Sequence, residues 1–417
     1  MNATTATEFL RRIPLLATLP DWQFDLVVEA AQPVEAQEGA TLITRGTDDG
    51  FTYFLTHGDI SLDSADGVVR QIEVTPETRI QPVANLRPRM FGVTALSRVQ
   101  AVRIPDLVLA AAGFDHPSQE DGEAATADDA GKQQRDEIDS KLGFRLYQDL
   151  RANNRVLPTL PDLALAVRKA IDAEESDARK IARLVETDPA MAAKLVKAAN
   201  SAMYAGSGNA KTCSAAVVRL GMDTTKQLVL TFALKDVFKS RDESSRRQMQ
   251  ALWKHSAEIA ALCFVIARES GLVQPEEALL AGLVHDVGII AILNYAQQYP
   301  QLMNDPHLVQ QTIKRLRGEL GAMILRDWRF SPSAVSAARD AENWSRRHHR
   351  EADLSDLLIV AQFHERLRYD KVDELPPMQE ISAIHRVLGD EASVEKSHEL
   401  LRAAREHIDE MQSVLSS

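Results

Sequence analysis

Ala281-Gly282-Leu283-Val284-His285-Asp286-Val287-Gly288-Ile289-Ile290 sets an imidazole beside a carboxylate in a run that is otherwise apolar and helical in texture. Burying such a run takes two polar groups inside with it, and buried polar groups need partners. Two arrangements meet that need: a metal ion, which imidazole nitrogen and carboxylate oxygen both ligate, or a hydrogen-bond network. The preceding helical segment adds a third group. There Leu252, His255, Ile259, Leu262, Cys263 and Ile266 share one face, so His255 points inward with the core residues. His255, His285 and Asp286 can therefore meet, around a cation or by satisfying one another.

Outward from this stretch, 417 residues are too many for one ordinary core, and about two to three domains are expected. A net charge of −12 repels a phosphate backbone and disfavours nucleic acid as a partner. No apolar run is expected to approach the roughly 18 residues needed to cross a bilayer. The start, Met1-Asn2-Ala3-Thr4-Thr5-Ala6-Thr7-Glu8, lacks the basic and then apolar layout of a signal peptide, so a cytoplasmic protein without membrane contact is expected. Cys213 and Cys263 each lie in an apolar helical context and read as small buried hydrophobes.

Residues 8 to about 30 form one or two short helices interrupted by Pro14 and Pro20. From Pro33 to Pro105 short β-type runs alternate with Gly and Asp: Thr41-Leu42-Ile43-Thr44, Phe51-Thr52-Tyr53-Phe54-Leu55-Thr56, Asp59-Ile60-Ser61-Leu62, Val68 to Val74, and Ala101-Val102-Arg103-Ile104. That spacing predicts a small all-β sandwich or barrel. The run Glu38-Gly39-Ala40-Thr41-Leu42-Ile43-Thr44-Arg45-Gly46, followed by Tyr53-Phe54-Leu55-Thr56-His57-Gly58-Asp59-Ile60, resembles the opening half of a cyclic-nucleotide-binding domain. The resemblance implies a β-roll and a phosphate-binding arginine. The corresponding segment reads Gln81-Pro82-Val83-Ala84-Asn85-Leu86-Arg87-Pro88-Arg89, which makes Arg87 and Arg89 the candidate ligand-binding residues and places Arg89 at the phosphate position. Gln81-Pro82 stands where the family has Gly-Glu, so the ribose acceptor and one backbone N–H are missing, and a degenerate sensor is expected.

Residues 113–139 are small, polar and mainly acidic, without apolar periodicity, and read as a flexible linker. Helical patterning then resumes. Asp188-Pro189 makes a helix start, and a helix, glycine turn and helix follow around Gly221. A DNA-binding helix-turn-helix is disfavoured there, because Gln227 to Leu234 is too apolar to lie in a groove. Leu157-Pro158-Thr159-Leu160-Pro161, Asp188-Pro189, Ala199-Asn200-Ser201, Ala216-Val217-Val218-Arg219-Leu220-Gly221 and the His285-Asp286 stretch together resemble the HDOD domain, a non-hydrolytic relative of the HD phosphohydrolases.

The resemblance implies an all-α bundle and a vestigial site. In hydrolytic relatives a distal Asp and further His residues complete a metal centre; here Gln362 aligns with the distal Asp, Arg317 with one His, and His348-His349 with a paired His. An amide is a poor substitute for a carboxylate, and a fixed cation repels a metal. The expected organisation is a β-roll with flanking helices over 1–112, a linker over 113–139, an HDOD helical domain over 140–375 and C-terminal helices over 376–417. The expected function is non-enzymatic bacterial signal transduction through signalling-protein partners. A metal-dependent nucleotide phosphohydrolase and a receptor for a cyclic mono- or dinucleotide are the alternatives. No cofactor is expected; a residual divalent metal on His255, His285 and Asp286 is the alternative. The apolar stripe Leu400, Leu401, Ala404, Ile408, Met411 and Leu415 packs on the bundle or serves a homodimer.

Overall fold

A computed structural model of the chain describes residues 3–64, 69–85, 89–114, 141, 144–145, 148, 158–171, 173, 177–201, 204, 208–239, 243–296, 305–348, 351–368 and 375–389. Arg87, His349, nearly all of the acidic linker and the stripe from Leu400 to Leu415 lie outside these. Two compact units are present, neither contiguous in sequence: residues 1–157 with 287–339, and residues 158–286 with 340–417.

Among the described residues the first unit is built on seven antiparallel strands: β1 (Gln32–Ala36), β2 (Thr41–Ile43), β3 (Phe51–His57), β4 (Ile60–Asp63), β5 (Val69–Ile72), β6 (Gly92–Ala95) and β7 (Val99–Pro105). They form a three-stranded sheet in the order β1-β7-β3 and a four-stranded sheet in the order β2-β6-β4-β5. The expected strands are present; β1 and β6 are additions. Pro33 is tolerated because β1 is an edge strand.

Strand β3 reads as almost continuously apolar because both of its faces are covered. Tyr53 and Leu55 enter the roll interior with Ile43, Ile60, Val93 and Val99. Phe54, with Val102 and Ile104 of β7, joins a second core shared with Leu10, Phe24 and Val27 of the N-terminal helices and with Ile292, Tyr295, Leu316 and Leu320. Those last four residues come from the Val287–Ala296 and Pro306–Asp327 helices, which the sequence pattern places in the C-terminal bundle.

A buried ion network ties the roll to these helices. Asp48, in the β2–β3 loop, accepts from Arg326 Nη1 at 2.7 Å and Arg339 Nη2 at 3.0 Å, and Arg339 Nη1 is also in contact. Arg339 Nε donates to Glu319 at 2.8 Å. Burial alone would weaken the Arg339 cation, but Asp48 and Glu319 hold its proton more tightly than usual.

Gly288 makes a close crossing of the Val287–Ala296 and Pro306–Asp327 helices: a Cβ there would overlap the Arg317 carbonyl oxygen and lie 2.8 Å from Gly321 N. Backbone can yield little, so Gly288→Ala is expected to lower stability by about 1–3 kcal/mol by overpacking, read as a shifted urea midpoint at unchanged slope.

The second unit is helical. The 28-residue Glu243–Ser270 helix, Pro275–Val284, Leu354–Arg368 and Ser382–Leu388 are joined by the helices from Asp162–Ile171 to Met222–Leu234. Asp188 caps Pro189–Ala199 by accepting from Ala190 N at 2.9 Å and Met191 N at 3.0 Å, as its sequence predicts. Leu228 to Leu234 are all buried, which is core packing and not a groove-reading helix. Both cysteines are buried free thiols; burial raises the Cys213 thiol to about 11 and pushes that of Cys263 up as well.

One expectation is corrected. Pro275–Ala296 is long and apolar enough to cross a membrane by length and composition, with a mean hydropathy of 1.7 over its best window. Of that window 89% is buried inside the protein, as in a core helix, and the helix breaks at His285-Asp286.

Candidate functional site

The Pro275–Val284 helix ends at His285, so the His-Asp pair stands at a break between two helices and not within one. His285 is fully buried and Asp286 nearly so. His285 Nδ1 lies 2.7 Å from the Gly282 carbonyl oxygen, which can only accept; Nδ1 therefore donates, and in the neutral ring Nε2 presents a lone pair. That Nε2 has no hydrogen-bond partner and sits 3.2 Å from Asp286 Oδ2.

His255 approaches from the Glu243–Ser270 helix, its ring centroid 5.3 Å from that of His285, with about 30% of its side chain exposed. Its Nε2 is 3.6 Å from Asp286 Oδ2, and its Nδ1 lies 3.3 Å from Glu365 Oε1. Burial pulls its pKa down, but the hydrogen bond to Glu365 and the charges of Asp286, Glu365 and Glu342 raise it overall.

Donor atoms of His255, His285 and Asp286 all lie within 4.8 Å of one another. An imidazole lone pair facing a carboxylate is repulsive unless a cation sits between them. A proton on His255 relieves one such contact, and a proton on His285 Nε2 would relieve the other. A divalent ion would relieve all of them, because the 3.2 and 3.6 Å separations match the roughly 3.4 Å edge of a tetrahedron with bonds of about 2.1 Å. Glu365 then has the place of the carboxylate that orients a ligating histidine through its other nitrogen. By donor type and by these two separations, the residues present suit one divalent ion. Glu365 escaped the sequence reading, although it stands one helical turn after Gln362 on the same helix, the spacing that puts two side chains on one face.

The other expected members are placed differently. The Gln362 amide oxygen accepts from the backbone N–H of Glu342 at 3.0 Å, so it braces a loop whose Glu342 has a left-handed φ of 63°. His348 belongs to a separate cluster centred on Asp356. That fully buried carboxylate receives Arg346 Nη1 at 2.8 Å, Arg386 Nη2 at 2.8 Å and Nε at 3.0 Å, with His348 Nε2 at 2.9 Å. Asp353 would complete a second set of metal donors there, but two guanidinium groups already occupy the carboxylate, and a metal does not fit. Burial raises the Asp356 pKa, yet the Arg386 hydrogen bond and the two arginine charges outweigh it and hold the group below the usual range. His348 is lowered by burial and by Arg346.

Arg317 lies on the Pro306–Asp327 helix of the first unit and is nearly buried. Arg89, expected at a phosphate position, is instead turned inward and 1% exposed. Its Nη1 donates to the Ala84 carbonyl at 2.7 Å, and its Nη2 meets Asp49 at 2.7 Å and the Phe51 carbonyl. The guanidinium holds the β3 entry together where a ligand phosphate was expected.

Residues 157–344 match the HDOD domain family. An uncharacterized protein of Treponema pallidum (strain Nichols) is 24% identical over 204 residues, 45% of this chain, and the chain covers 38% of that relative's length. Among solved structures, a Shewanella amazonensis SB2B protein provisionally named a metal-dependent phosphohydrolase matches 65% of this chain and 96% of its own, at 22% identity and a TM-score of 0.55, a likeness of fold. A Trypanosoma brucei regulatory subunit of a cAMP-independent protein kinase A matches 25% of this chain and 39% of its own, at 18% identity and a TM-score of 0.22.

Proposed function

We propose, from the match of residues 157–344 to the HDOD domain family, that the protein is a regulatory signalling protein that acts through contacts with other proteins and not by turnover. The observation that carries this reading is where the would-be ligands are spent. Gln362 braces the Glu342 backbone and His348 is held at Asp356, which among the described residues leaves three convergent donors, enough for one ion and short of a dinuclear hydrolytic set. In this reading the β-roll unit receives the signal, and the buried HD pair is part of the frame that passes it on.

A second reading, a metal-dependent phosphohydrolase, is favoured by the orphaned His285 Nε2. His255, His285 and Asp286 would hold the ion, with Glu365 fixing the His255 ring. A bound ion would supply a water of lowered pKa and polarise a phosphoryl oxygen. Elemental analysis of the purified full chain, paired with hydrolysis assays on bis(p-nitrophenyl) phosphate and a nucleotide panel, separates the two. No more than about one metal equivalent, lost in His285→Ala, and no hydrolysis above buffer are expected. Turnover that His285→Ala abolishes would overturn the regulatory reading.

A further inference from the structure

At one end of the β-roll the turn His57-Gly58-Asp59, the turn Ser97-Arg98 and the side chain of Arg79 enclose a cleft of about 680 Å³, within the roughly 300–1,000 Å³ range of small-molecule sites. Its floor is built from two cross-linked turns: Asp59 N donates to Ser97 Oγ at 2.9 Å, and Leu96 N donates to the Asp59 carbonyl at 2.8 Å. Gly58, at φ 87°, passes so close beneath Arg98 that a Cβ would overlap the Arg98 carbonyl oxygen, so only glycine keeps this floor open.

Three basic side chains, His57, Arg79 and Arg98, line the cleft against one acid, Asp59, in a chain of net charge −12. Arg98 is braced by Glu35, which accepts from its Nη2 at 3.1 Å and from Gln100 Nε2 at 3.2 Å. Arg79 is the more telling group. Its Nε is shielded from solvent and has no hydrogen-bond partner, so a cationic N–H has been desolvated without an acceptor. An oxyanion in the cleft offsets the charge of that guanidinium from close by.

We propose that this cleft binds a small phosphorylated organic molecule, its phosphate held by Arg79 and Arg98. Arginine forks suit phosphate oxygens, Val74 gives an apolar wall for the organic part, and Asp59 accepts from its hydroxyl groups. The site is separate from the Arg89 segment, whose guanidinium is already committed, and it stands independently of the reading of the HD pair.

Isothermal titration of the full chain with AMP, glucose 6-phosphate, adenosine and inorganic phosphate tests this. At least one of the two phosphate monoesters is expected to bind more tightly than inorganic phosphate, with adenosine silent. Arg79→Gln and Arg98→Gln are each expected to weaken that binding at least tenfold, while Arg45→Gln, on the roll outside the cleft, leaves it unchanged. Arg98 is largely exposed, so its variant carries the test if Arg79→Gln does not fold. Failure of both esters to bind at millimolar concentration, binding unaltered in the Arg98 variant, or inorganic phosphate binding as tightly as either ester overturns the proposal.

Discussion

Asp48→Ala is expected to lower the stability of the unit that contains it by about 3–5 kcal/mol, because it removes the carboxylate from between two guanidinium groups and leaves Glu319 to hold Arg339. Asp48 is 1% exposed in its side chain and Arg339 6%, so little water can take the lost partner's place. Arg326, at 20%, can turn outward and should lose less; Arg326→Ala is expected to cost roughly 1–3 kcal/mol. Urea unfolding of the full chain, followed by a probe in the β-roll, reads both. A loss below about 1 kcal/mol for Asp48→Ala would mean that the network is not buried in solution.

Asp356→Asn is the second large effect, again about 3–5 kcal/mol near pH 7, because the charge that balances Arg346 and Arg386 disappears. Its pH dependence has a definite sign. The folded-state pKa is lowered, so the stabilisation is complete above the unfolded value of about 3.9 and is lost as pH falls through the lower folded value. Wild type and variant should therefore differ most at neutral pH and converge in acid. Urea midpoints at neutral pH, just above the unfolded pKa and well below it decide the matter; a gap that stays constant with pH would show that shape, and not charge, is what the substitution removes.

The fold was legible where a pattern is local. Strands β2 to β5 and β7 announce themselves through alternation and turn glycines, and Asp188-Pro189 through the chemistry of a helix start. Strand β1 was hidden by Pro33, which only its edge position excuses, and β6 by having four residues, one of them Gly92. Of the candidate site, His255, His285 and Asp286 followed from helical phase and adjacency. What escaped was pairing across long separations. Asp48 meets Arg326 and Arg339 from 278 and 291 residues away, and Glu365 meets His255 from 110. Nothing in the run Arg87-Pro88-Arg89 says that Asp49 and two carbonyls will claim one of these arginines. The expected boundaries at residues 112 and 140 came from composition, which marks where a chain is polar and not which core a later helix joins.

The discontinuous first unit has a consequence for how the protein is made. Leu10, Phe24, Phe54 and Val102 leave the ribosome long before Ile292, Tyr295, Leu316 and Leu320, which cover the same core. At roughly 5–20 residues per second, the nascent β-roll waits on the order of ten seconds with that apolar surface bare. A gene fragment cut at the acidic linker would make the wait permanent, so expressing the roll alone should yield an aggregating product, whereas one that also carries residues 287–339 should remain in solution.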